Sequence, residues 1–105
     1  MAIINATPET IDELIGSSYT VVDFYGDHCA PCKMMAPIFH EASNDLPLIQ
    51  FVKANTEQYQ ELNKRFGIHA IPTLHFYRDG KLIHEAVGAV DRKTLDSFLS
   101  KLLYD

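Results

Sequence analysis

The run VVDFYGDHCAPCKMMAP, residues 21–37, constrains this chain more than any other stretch: a nearly unbroken apolar segment with one aspartate leads straight into two cysteines three positions apart. They are the only cysteines among 105 residues. The segment YTVVDFY is rich in β-branched and aromatic residues and apolar on both faces, the pattern of a strand covered on two sides. From Pro31 onward Met34, Met35, Ile38, Phe39 and Ala42 follow helical spacing, with Pro37 expected to kink the helix rather than end it. Cys29 therefore stands where a buried strand gives way to a helix.

Unpaired backbone N–H groups and the positive end of the helix dipole gather at such a junction, and both favour a thiolate. Lowering a thiol from about 8.5 to about 7 raises its ionised fraction at neutral pH from a few per cent to about half. Cys29 then becomes a nucleophile. Cys32, one turn further in, can reach the Cys29 sulfur while the helix shields it from solvent. The expected chemistry is attack of Cys29 on a disulfide of another protein, then attack of Cys32 on the mixed disulfide, leaving Cys29–Cys32 oxidised. Pro31 lies in the first turn, where it removes no helical hydrogen bond and stiffens the loop. A purely structural disulfide is the first alternative, but a four-residue loop constrains little of the unfolded chain. Half of a zinc site, with His28 as third ligand, is the second; it lacks a second cysteine pair or a closely spaced histidine pair.

The rest of the chain fits one domain spanning residues 1–105, and a hydrophobic content of 47% is enough for a proper core. A net charge of −5 without a Lys/Arg cluster argues against nucleic acid or an anionic membrane as partner. The amino-terminal MAIINATPETIDELIG has neither a basic nor an apolar signal region, and no apolar run approaches the roughly 18 residues of a membrane span. A cytoplasmic location is expected.

Thr7, Pro8 and Glu9 read as the start of a helix with Ile11, Leu14 and Ile15 on one face and Gly16 at its end, after a short edge strand at Ile3-Ile4. LIQFVKAN reads as a second buried strand, and YQELNKRF as a short helix stopped by Gly67. TLHFYRDGKLIHEAVG is a hairpin turning at Asp79-Gly80. A last helix has Asp91 as its N-cap and Leu95, Phe98, Leu99, Leu102 and Leu103 on one face. Alternating strands and helices predict an α/β fold: a central mixed sheet, with a parallel core and an antiparallel hairpin, flanked by helices on both faces.

Asp23 is the residue that apolar burial does not explain. An ionised carboxylate inside a covered strand is costly and responds by raising its pKa, which would let it accept the Cys32 proton as that thiol attacks. Its plainer reading is a polar strand residue satisfied by backbone or water. Lys53, in the next strand, is the candidate compensating cation, with a solvated strand end as the alternative. Pro72 opens a strand, and since only about 5% of such bonds are cis, the residues alone point to trans. His28 invites the hypothesis of a switchable positive charge beside the Cys29 thiolate, against the reading of an exposed bystander. His40, His69, His75 and His84 read as surface or strand residues.

With these residues placed, the chain resembles the thioredoxin family over nearly its full length, through VVDFY, CAPCKMMAP, AIPT, the RDGK turn and Gly88 before the last helix. The resemblance implies the thioredoxin fold, Cys29 as exposed nucleophile, Cys32 as buried resolving thiol and Asp23 as buried acid–base group, with Lys53 matching the family's lysine nearby. It implies a cis Ile71-Pro72 bond beside the thiols, offering the Ile71 backbone to an extended substrate segment. His28, Ala30, Pro31, Ile71, Pro72 and Gly88 are then the substrate-contacting residues. It further implies a monomer that uses no metal or organic cofactor, takes electrons from NADPH through a separate thioredoxin reductase, and passes them to protein disulfides. HCAPC departs from the family's usual WCGPC. Ala30 replaces a flexible glycine, His28 a large aromatic on the contact surface, and Tyr25 stands where the family usually has its first tryptophan. A protein-disulfide reductase is the leading reading. A disulfide oxidant or isomerase on the same fold, and a non-catalytic binding module, are the competing ones.

Overall fold

The computed structural model describes residues 3–105. Met1 and Ala2, which open the amino-terminal segment read above, lie outside the described residues. The elements run β1 (Ile4–Asn5), α1 (Ile11–Ile15), β2 (Tyr19–Tyr25), α2 (Ala30–Asp45), β3 (Gln50–Asn55), α3 (Glu61–Phe66), β4 (Thr73–Arg78), β5 (Lys81–Val87) and α4 (Arg92–Tyr104). The sheet order is β1-β3-β2-β4-β5. The first three strands in that order pair in parallel, and β2–β4 and β4–β5 pair antiparallel.

Alternation along the central strands splits the core in two. Val21, Phe51, Leu74 and Phe76 pack against Met35, Phe39 and Ala42 of α2 and Leu95, Leu99 and Leu102 of α4. Val22, Phe24, Val52 and Tyr77 face Ile11 and Ile15 of α1 and Leu62 of α3. Because β2 is apolar on both faces, it can occupy the middle of this sandwich. Phe39 is fully buried and meets Phe51 edge-on; truncating such a ring to alanine costs about 3–5 kcal/mol.

Local signals set the ends. Asp91 caps α4 by accepting the Thr94 N–H at 2.8 Å, and Gly67 ends α3 at φ +67°. Asp79 and Gly80 both take positive φ, the conformation a tight hairpin turn requires. Arg92 ties α2 to α4 by reaching Glu41 and Asp45 at 2.9 Å each, besides Asp96 on its own helix at 2.8 Å.

Three expectations need correction. The regular part of the first helix starts at Ile11 rather than Pro8, although Thr7 still caps the turn leading into it: its Oγ1 accepts the Thr10 N–H at 3.3 Å and its carbonyl the Ile11 N–H at 3.0 Å. The edge strand sits one residue later than Ile3-Ile4, at Ile4–Asn5. Met34, counted on the apolar face of α2, is 68% exposed, because only Met35 of the pair points at the sheet.

Candidate active site

Strand β2 ends at Tyr25, three loop residues and then Cys29 follow, and α2 starts at Ala30. Cys29 is the N-cap of α2, in extended backbone (φ −144°, ψ 103°), and its sulfur takes the place of a capping oxygen. The Cys32 N–H donates to that sulfur at 3.3 Å. Cys29 and Cys32 are joined by a disulfide, with their Cα atoms 5.2 Å apart. Cys29 is 8% exposed and Cys32 4%, so the approach to both is narrow and favours the first. Pro31 stands within the first two helical positions, where no N–H is needed. Ala30 and Pro31 are exposed beside the disulfide.

The cis Ile71–Pro72 bond brings a second loop alongside. The Ile71 carbonyl oxygen lies 3.8 Å from the Cys29 sulfur. Gly88, at φ +98°, donates its N–H to the Pro72 carbonyl at 2.8 Å. Cys29, Ile71, Pro72 and Gly88 are thus brought together from three separate parts of the chain.

Asp23 is fully buried, and among the described residues no group hydrogen-bonds either carboxylate oxygen. It shares a sheet face with Val21, which packs on Met35 and Phe39, so it lies beneath the first turns of α2. Burial pushes its pKa up to about 7, against a smaller downward pull from Lys53. Lys53 is the register partner of Asp23 on β3, but its ammonium sits over the Tyr25 ring, 4.2 Å from the centroid. A cavity of about 150 Å³ lined by Tyr25, Cys32, Ala36 and Lys53 opens beside these groups.

His28 is exposed on the loop before Cys29, and its Nδ1 stands 3.1 Å from Glu57 Oε1. Sequence spacing gave no hint of this contact, because the partner lies 29 positions away, in the turn that follows β3. His75 is also a strand residue, as expected, but it is buried rather than superficial: Nδ1 lies 2.9 Å from the Tyr77 hydroxyl and Nε2 2.7 Å from Glu85. His40, His69 and His84 are exposed. Among the described residues, no three His, Cys, Asp or Glu side chains converge to hold a metal ion.

A disulfide between cysteines three positions apart, capping a helix on a mixed sheet of this order, defines a thiol–disulfide oxidoreductase. The thioredoxin family profile matches residues 2–101. Thioredoxin of Bacillus subtilis is 30% identical over 104 residues, covering 98% of this chain and all of the relative. Thioredoxin of Mycoplasmoides gallisepticum is 36% identical over 90 residues, covering 85% of this chain and 90% of the relative. Among solved structures, thioredoxin f2 of Chlamydomonas reinhardtii superposes with a TM-score of 0.87 at 27% identity, covering 95% of both chains. The chain belongs to the thioredoxin family, has its fold, and is a disulfide reductase working through the Cys29–Cys32 pair.

Proposed function

We propose that Cys29 attacks protein disulfides, Cys32 resolves the mixed disulfide, and Asp23 takes the Cys32 proton. The observation that carries this reading is the Cys29 sulfur at the N-cap of α2, accepting the Cys32 N–H at 3.3 Å. In the reduced protein the same N–H and the helix dipole stabilise negative charge on Cys29, the condition for nucleophilic attack. The electron pair of the Cys29 thiolate forms the new S–S bond while the substrate's other sulfur leaves as thiolate. Cys32 then attacks Cys29, its proton passes to the Asp23 carboxylate, and the second substrate sulfur is released.

Lys53 acts through Asp23, holding its pKa below what burial alone would give. His28, Ala30, Pro31, Ile71, Pro72 and Gly88 form the contact surface, with Ile71 offering its backbone to an extended substrate strand. The chain works as one domain and one copy, recharged by a thioredoxin reductase at the expense of NADPH. A pair that must be returned to the dithiol belongs in a compartment that keeps thiols reduced, here the cytoplasm. Among the described residues, no helix is long and apolar enough to cross a membrane.

Insulin reduction tests the reading, driven first by dithiothreitol and then by NADPH with a thioredoxin reductase. Turnover with both is expected. Turnover only with dithiothreitol would keep the chemistry and reject the donor. A reduction potential near about −120 mV, rather than the family reference of about −270 mV, would move the protein to the oxidants. Cys32→Ser should accumulate a mixed disulfide through Cys29.

A further inference from the structure

The loop that leads into Cys29 is held by a carboxylate from another part of the chain. Glu57 Oε1 accepts the Asp27 N–H at 2.8 Å and the His28 N–H at 3.0 Å, and Oε2 shares the His28 N–H at 3.1 Å. His28 Nδ1 adds a fourth contact at 3.1 Å. Both amides fall between β2 and α2, so neither sheet nor helix supplies them with a partner. Asn55 braces the two loops: its Nδ2 donates to Asp27 at 3.1 Å, while its Oδ1 accepts the Glu57 and Gln58 N–H groups at 3.0 Å each.

Gly26 gives an independent sign that the chain is built around this clamp. A Cβ at residue 26 would lie 2.5 Å from Glu57 Oε2 and 2.7 Å from its Cδ and Cγ. Gly26 is not among the glycines with positive φ, so backbone conformation does not demand it. What its bare Cα permits is the close approach of Glu57.

We propose that Glu57 is a positioning residue for disulfide exchange: by holding the Asp27 and His28 amides it fixes the extended backbone at Cys29, keeping its sulfur on the Cys32 N–H and beside Ile71. The inference rests on Cys29 being the nucleophile. It also opposes the simplest electrostatic expectation. A carboxylate near a thiolate disfavours the anion, so if Glu57 acted only by its charge, removing it would make Cys29 more reactive. Glu57 does carry its charge at neutral pH. Burial pushes its carboxyl up, but the His28 N–H and ring and the Asp27 N–H outweigh this and hold it below the usual range.

The test is the pH profile of Cys29 alkylation in the reduced protein, read by mass spectrometry, in wild type, Glu57→Ala, Glu57→Gln, Gly26→Ala and the Gly26→Ala/Glu57→Ala double variant. Positioning predicts that Glu57→Ala and Gly26→Ala each move the profile to higher pH, lowering the rate at neutral pH by about three- to tenfold. Glu57→Gln, with one acceptor oxygen left and no charge, should fall between wild type and Glu57→Ala. Gly26→Ala should add nothing once Glu57 is gone, because the side chain it displaces is absent. Amide exchange at Asp27 and His28 should quicken about tenfold in Glu57→Ala. A profile unchanged or shifted to lower pH in Glu57→Ala, or an equal Gly26→Ala effect in both backgrounds, would overturn the proposal. Should the alanine variants fail to fold, the Glu57→Gln profile decides alone, by its direction. Insulin reduction by wild type is scored separately: its failure would reject the proposed function, whereas the alkylation profiles report on Glu57 either way.

Discussion

Asp23 and His75 lie on neighbouring strands at the centre of the sheet, where Asp23 pairs with Leu74 and Val22 with His75. Both are buried and both can titrate, yet they face opposite sides and the fold treats them oppositely. On the α1/α3 side His75 is fully provided for. Its Nε2 lies 2.7 Å from Glu85 and its Nδ1 2.9 Å from the Tyr77 hydroxyl, so both ring nitrogens have a polar partner. The Phe24 ring meets it edge-on at 5.0 Å. On the α2/α4 side Asp23 has no hydrogen bond among the described residues, beneath the disulfide-bearing turn. A buried polar group with partners is held in place by them, whereas burial without them raises the pKa of the Asp23 carboxyl to about 7. The difference separates a structural polar group from one free to exchange a proton during a reaction.

The largest test of that contrast is stability against pH. The folded Asp23 pKa, about 7, lies above its ordinary 3.8, so between those values the native state holds a proton that the unfolded state has lost. Stability is therefore full below the lower value and falls as pH rises, by about 4 kcal/mol once the upper value is passed. Urea titrations across this range should show the fall in wild type and its absence in Asp23→Asn. Persistence of the fall in the variant would assign it to another group.

His75→Leu should act with the opposite sign. It strands the buried Tyr77 hydroxyl and removes the Glu85 partner, costing about 2–3 kcal/mol at neutral pH. Thermal and urea denaturation measure the cost, and insulin reduction should stay at the wild-type level. Lost activity at wild-type stability would instead bring His75 into the reaction.

A kinetic effect follows in size. Asp23→Asn should slow resolution of the mixed disulfide by about ten- to a hundredfold, roughly 1.4–2.7 kcal/mol, by removing the base. Wild-type resolution should rise with pH through about 7, the limb on which Asp23 loses its proton, and the variant should lack that limb. Quenched-flow trapping of the mixed disulfide reads both. The smallest effect belongs to Lys53→Met. Losing a cation that lowers the Asp23 pKa should move that limb to higher pH. No shift would detach Lys53 from the site.

Much of this site is legible in the chain because its parts are contiguous. A strand pattern, three loop residues and a helix pattern surround Cys29 and Cys32, and the local rules for strands and helix N-termini place both sulfurs. Asp23 stands out by the same logic, as the polar residue in a covered strand. Glu57 does not stand out. It is one exposed-looking acid among 14 acidic residues, 29 positions from the His28 it binds, and no periodicity joins them. His75 is hidden for a related reason: in a strand it reads as any alternating polar residue, and only Tyr77 and Glu85 together make its burial tolerable. Met34 misleads in the opposite direction, since helical spacing admits two adjacent methionines to the apolar arc and packing took only Met35.

By itself the sequence determined the order of strands and helices, the disulfide's place at the start of α2, and the presence of a misfit carboxylate before it. Each follows from interactions between residues close in the chain, where propensity and periodicity act. Tertiary structure alone decided which groups from distant loops meet the sulfurs: Ile71 beside Cys29, Gly88 on Pro72, Glu57 over Gly26. It also left Asp23 without a hydrogen-bond partner among the described residues while satisfying His75, because burial and hydrogen-bond supply are properties of the packed sheet's two sides and of no single segment.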